Sequence, residues 1–174
     1  QGERTLTYEE LAGAVDRLAR AFAAAGIRKG DVVAIQLPNI PEFLIAYLAV
    51  ARLGGVMMTI HMPYRAAEIE TLVNHARAKA LVCLSDAKDW SPAATVAGMR
   101  AKLPTLRHLI ALGAPVDGAL SLTGMMDSDL EEELPDPPVA SDPFLMMFTS
   151  GTTAAPKCVV HPSHTLLSNA RVGA

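Results

Sequence analysis

The chain has 174 residues, 51% of them apolar, and sets 15 Lys and Arg against 18 Asp and Glu. That is enough to bury the core of one ordinary domain, while the net charge of −3 leaves no basic stripe for nucleic-acid phosphates. The longest unbroken apolar run, 43–51, is far short of the roughly 18–20 residues that span a bilayer, and no stretch has signal-peptide form, so the expectation is a soluble, cytoplasmic protein.

Thr7 and Glu10 have capping-box spacing, and Leu11, Val15, Leu18 and Phe22 then recur at helical intervals until Gly26 stops the helix. Residues 32–37 read as a short apolar strand, 41–53 as a helix, and 56–60 as a second strand after the Gly54-Gly55 pair. A helix over about 65–77 places Ile69, Leu72, Val73 and Ala76 on one face, and 80–84 is the next strand. Ser91 is placed to cap a helix with Pro92 at its first position, and 108–112 reads as a further strand. Beyond Gly113 the pattern loosens, and 130–143, acidic and proline-rich, reads as an exposed connector. It delivers the chain to a buried strand over 144–148, and the last residues read as the opening of a helix. Alternating strands and helices predict an α/β fold with a mainly parallel sheet.

Cys83 lies in an apolar run and reads as a small core residue. Cys158 neighbours Lys157, which would lower its pKa; neither thiol has metal spacing. His161 and His164 lack further ligands at matching distance, so a fold role is the better reading than a metal site. The pairs Met57-Met58, Met125-Met126 and Met146-Met147 suit core filling before an acyl channel, and Tyr64-Arg65 reads as a packing and surface pair.

The stretch with the most chemical content is 146–157, MMFTSGTTAAPK. Thr149, Ser150, Thr152 and Thr153 offer hydroxyls and backbone amides, Gly151 admits close approach, and Lys157 adds a point charge, a set that suits phosphate oxygens. It is no Walker loop, since Pro156 precedes the lysine and Cys158 follows it.

Phe148 through Thr153 with Pro156, Lys157 and Val159 resemble the phosphate-binding signature of the adenylate-forming (AMP-binding) enzymes: acyl-CoA synthetases, peptide-synthetase adenylation domains and luciferases. The likeness extends through Thr7-Tyr8-Glu9-Glu10-Leu11, Gly30-Asp31-Val32-Val33-Ala34, Leu37-Pro38-Asn39, Pro41-Glu42-Phe43, Gly54-Gly55 and Tyr64-Arg65-Ala66-Ala67-Glu68. In their order these look like that family's N-terminal half, nearest to the acyl- or aryl-CoA ligase branch. Where the family pattern has glycines, this chain has Ala154 and Cys158. A Cβ there costs on the order of 1 kcal/mol if the position needs a positive φ or a close phosphate, and the residues leave open whether either does.

The resemblance implies that residues 1–174 are part of an N-terminal AMP-binding domain, with the C-terminal domain and its catalytic lysine beyond the last residue. It implies ATP, Mg2+ and coenzyme A, with a small carboxylic acid as substrate of the full-length protein. Thr149, Ser150, Gly151, Thr152, Thr153 and Lys157 would then hold the nucleotide phosphates, no residue here would be catalytic, and the isolated piece would be inactive. The alternatives are an adenylation domain of a peptide synthetase and a non-enzymatic relative with a degenerate loop.

Overall fold

The computed structural model describes residues 5–149 and 157–172. Helix α1, Tyr8–Ala24, begins at the expected capping box: the Glu10 N–H donates to Thr7 Oγ1 at 3.1 Å, and the Thr7 N–H donates to Glu10 Oε2 at 2.7 Å. It ends where Gly26, at φ +87°, lets the Ile27 N–H reach back to the Phe22 carbonyl. Strand β1, Val32–Gln36, leads to α2, Pro41–Arg52, and then to β2, Val56–Thr59. The double glycine between α2 and β2 has two separate causes. Gly54 sits at φ +68°, and a Cβ on Gly55 would lie 3.0 Å from a Val50 methyl and 3.3 Å from two carbonyl oxygens.

Helix α3, Ala66–His75, stops two residues before the expected end. Arg77 takes the left-handed conformation at φ 52° and the Ala78 N–H bonds the Val73 carbonyl, the closure that glycine makes after α1. Strand β3, Ala80–Leu84, is as expected. Helix α4, Pro92–Gly98, does start with Pro92, but Ser91 makes no cap: its hydroxyl donates to Asp86 Oδ1 at 2.5 Å. Strand β4, His108–Leu112, matches the expectation; two short elements that follow were not foreseen, β5, Leu120–Ser121, and α5, Leu122–Met126. Two residues and a single helical turn are too short to register as periodicity.

Strand β6 covers Pro143–Thr149, β7 covers Lys157–Pro162 and α6 covers Ser163–Val172. The sheet order is β5-β4-β3-β1-β2-β6-β7. All neighbours are parallel except β6 and β7, which form an antiparallel pair. The unforeseen β7 has no alternating pattern to betray it, because Val159 and Val160 are both exposed on this edge strand.

Side chains alternate between two cores. Val33, Ile35, Val82 and Ile110 face α1, α2 and α5, whereas Ala34, Met58, Leu81 and Leu109 face α3 and α4. This double cover explains the continuous apolar runs of the parallel strands. Met57, Met58 and Met126 fill core, but Met147 is 45% exposed. Strand β6 as a whole is only half-buried, unlike the buried run expected, because it lies one place from the sheet edge.

The 130–143 segment is mostly exposed and is tied down along its length. Leu134 packs against the α1–α2 core. Arg20 donates to the Glu132 carbonyl at 2.8 Å and Arg52 to the Pro135 carbonyl at 3.0 Å. Lys29 pairs with Asp142 at 2.6 Å, and the His164 N–H donates to the Ala140 carbonyl. The segment is therefore a strap across the α1–α2 layer, tied down just before β6 begins.

Candidate functional site

Strand β6 runs parallel to β1–β4, so its last residue, Thr149, lies at the carboxyl edge of the sheet, where open α/β sheets bind their ligands. Lys157 opens β7 directly opposite Thr149. Opposed residues of an antiparallel ladder have Cα atoms about 4.5–5.5 Å apart and side chains on one face. Hydroxyl and ammonium therefore emerge side by side, both residues exposed, and among the described residues Lys157 has no carboxylate partner. Of the six candidate residues, the structure brings Thr149 and Lys157 together. Ser150, Gly151, Thr152 and Thr153 lie outside the described residues, as do Ala154 and Pro156.

The end of β6 overhangs its neighbour. Strand β2 pairs with β6 at Leu145 and Met146 and ends at Thr59, one residue past the Met58–Met146 pair, so Phe148 and Thr149 extend beyond it. In that overhang Phe148 turns back to the sheet's α3–α4 side, packing against its core. Its ring stands nearly perpendicular to that of His75 on the last turn of α3, with centroids 5.4 Å apart and planes at 83°. No sequence signal pointed to His75, which is separated from Phe148 by most of the strand-helix alternation.

Cys158 faces Phe148 across the ladder. Among the described residues the one non-glycine at positive φ is Arg77, so the cysteine standing in the family's glycine position sits in ordinary strand geometry. Burial pushes its thiol pKa up, against the lowering expected from the neighbouring Lys157. Cys83 is fully buried and its thiol is pushed up to about 12 by burial. His164 bonds the Ala140 carbonyl through its ring Nδ1 at 3.0 Å, a fold contact. Among the described residues no group of three or more His, Cys, Asp or Glu converges as a metal site.

Further along the carboxyl edge, Gln36 is buried and its amide donates to the His61 and Tyr64 carbonyls, both at 3.0 Å. Arg65 lies 4.7 Å above the Trp90 ring and pairs with Asp89 at 3.0 Å. Tyr64-Arg65 is thus the packing and surface pair expected. A cleft of about 540 Å3 between the end of α1 and Glu132–Asp136 of the strap includes Arg28 and Lys29, which precede β1, so it opens at the opposite, amino edge of the sheet.

A mainly parallel sheet covered by helices on both faces, carrying a Thr–Lys hairpin at its carboxyl edge, places the molecule with the N-terminal domain of adenylate-forming enzymes. The chain belongs to the AMP-binding enzyme family, whose profile matches residues 1–173. It is 35% identical over 173 residues to Protein Y of Streptomyces griseus, covering 98% of this chain and 56% of that protein. It is 31% identical to the mitochondrial acyl-CoA synthetase short-chain family member 3 of Rattus norvegicus, over 91% of this chain and 25% of that protein. Among solved structures, the acetoacetyl-CoA synthetase of Streptomyces lividans superposes with a TM-score of 0.82 at 30% identity, over 95% of this chain and 27% of that one. The chain thus spans between about a quarter and just over half the length of these relatives. Among the described residues no helix is long and apolar enough to cross a membrane.

Proposed function

We propose that the protein carrying this chain is an ATP-dependent acid–thiol ligase. A carboxylate oxygen attacks the α-phosphorus of ATP, the bond to the bridging oxygen breaks, and pyrophosphate leaves. The coenzyme A thiol then attacks the acyl carbon of the resulting acyl-AMP and releases AMP. The obstacle in the first step is like charge, since an anionic nucleophile must approach an anionic polyphosphate, so fixed donors lower the barrier most.

On this reading Thr149, Ser150, Thr152 and Thr153 donate hydroxyl and amide hydrogens to the phosphates, Gly151 lets the backbone come close, and Lys157 neutralises charge accumulating on the leaving pyrophosphate. Mg2+, when bound, would supply further charge neutralisation on the triphosphate; the described residues offer no cluster of three or more His, Cys, Asp or Glu for it. Residues 1–174 constitute part of the N-terminal AMP-binding domain, with 130–143 as its internal connector, and the reaction takes place in the cytoplasm. Among the alternatives, the chain's similarity to an acyl-CoA synthetase and an acetoacetyl-CoA synthetase favours the CoA ligase.

The observation that carries this reading is the opposition of Thr149 and Lys157 at the carboxyl edge of the sheet, in a chain whose residues 1–173 match the family. The test is carboxylate-dependent exchange of pyrophosphate into ATP by the complete protein, offered aliphatic, aromatic and amino acids in turn. Exchange with an acid, lost in Lys157→Ala, is the expected result; exchange with none of them sinks the proposal. Residues 1–174 by themselves should give no exchange, and measurable exchange by that piece would overturn this part.

A further inference from the structure

We infer that His75 is a positioning residue for the Thr149–Lys157 pair, acting through Phe148; the inference rests on the reading of Thr149 and Lys157 as phosphate ligands. Three observations combine. First, Phe148 and Thr149, the last two residues of β6, run past the end of β2, so that strand does not flank them. Second, Phe148 is the residue of that overhang that packs into the α3–α4 core, and it immediately precedes Thr149. Third, the ring set against Phe148 is His75, fixed at the C-terminal turn of α3, with the perpendicular geometry in which a ring edge meets a ring face.

The chain of support is short. Helix α3 is anchored by Ile69, Leu72 and Val73, all buried. His75 projects from that anchored helix, Phe148 rests on His75, and Thr149 with its partner Lys157 follows within one residue. Because adjacent strand residues point to opposite faces, a shift of Phe148 toward α3 rotates Thr149 and carries Lys157 with it through the ladder. His75 is itself exposed, so its ring adds little to the buried core. What it supplies is a stop that sets how far the end of β6 can shift toward α3.

The experiment compares His75→Ala and His75→Phe in the complete protein, reading KM for ATP, kcat and thermal stability, with Thr149→Val and Lys157→Ala in parallel. His75→Ala should raise KM for ATP about three- to tenfold, the range an edge-to-face ring pair corresponds to, with kcat for the acid and the melting temperature little changed. His75→Phe, which keeps a ring at the same place, should restore KM to within about twofold of the parent. If Thr149→Val and Lys157→Ala raise KM while His75→Ala does not, the positioning role is overturned and the phosphate reading stands. A rise in His75→Ala that His75→Phe fails to reverse, or one matched by a loss of stability, also overturns it. If none of the four variants changes KM, both readings fall.

Discussion

The Lys79 ammonium lies 2.6 Å from Oδ2 of Asp31 and 2.8 Å from the Gly26 carbonyl, joining the amino ends of β3 and β1 to the turn after α1. The same carboxylate oxygen accepts the Arg28 N–H at 2.7 Å. Both side chains keep about a quarter to a third of their exposure, so solvent screens the pair. Lys79→Met should therefore destabilise the protein by about 1 kcal/mol, read from the midpoint of urea unfolding. No shift in the midpoint would show that the triad is ornamental.

His108 stands at the start of β4, close to this cluster. Burial, then the charges of Lys79 and Arg100, hold its pKa below the ordinary value of 6.5, against a smaller opposing pull from Asp31. A depressed folded pKa means that the folded state disfavours the proton. The contribution to stability is present above pH 6.5 and is lost as pH falls from there toward the depressed value. Thermal unfolding followed between roughly pH 7 and 5 should show falling stability that His108→Gln flattens. An unchanged slope in the variant would remove His108 as its source.

The strap predicts a local effect without a global one. Leu134 is half-buried against the α1–α2 core, so Leu134→Ala should cost about 1 kcal/mol, less than for a fully buried leucine. Hydrogen exchange should quicken across 130–143 while β1 and β3 stay protected. The bond from the Lys29 ammonium, with help from the Val139 N–H, holds the Asp142 carboxyl below the ordinary value of 3.8. That tie is present above this value and is lost as pH falls through the lowered one. Asp142→Asn should accordingly loosen 139–143 at neutral pH, and equal exchange in parent and variant would argue against the tie.

Arg77 occupies a position that glycine fills after both α1 and α2, at φ 52°. Arg77→Gly should raise stability by about 0.5–1 kcal/mol, because the left-handed conformation is free for glycine and costly for a side chain with a Cβ. Calorimetry decides it: a lower melting temperature would mean that the Arg77 side chain supports the fold in a way its exposure conceals.

The parallel half of the sheet was legible because its strands are buried on both faces and therefore read as short apolar runs punctuated by glycine and proline. Val32, Val56, Ala80 and His108 begin strands at the positions the runs suggested. The capping box at Thr7 was legible because its geometry is local. Strand β7 was not, since Val159 and Val160 point to opposite faces and neither face of this edge is sealed. Ser91 misled for a related reason: its hydroxyl found Asp86, five residues back, before the helix amides. At the site, the residue types from Thr149 to Lys157 carried the chemistry, but the facing of Thr149 and Lys157 depends on an unseen strand. The His75–Phe148 contact depends on tertiary packing that no local pattern encodes.

The pairing of β6 with β7 also sets which way the ammonium aims. Alternate residues of a ladder address opposite sides, so adding or removing a single residue between Lys157 and the Val160–Met146 pair would reverse the lysine's bearing while leaving its distance along the chain nearly intact. Evolution can therefore vary the composition of the residues between Thr149 and Lys157 far more freely than the parity of the strand that follows them.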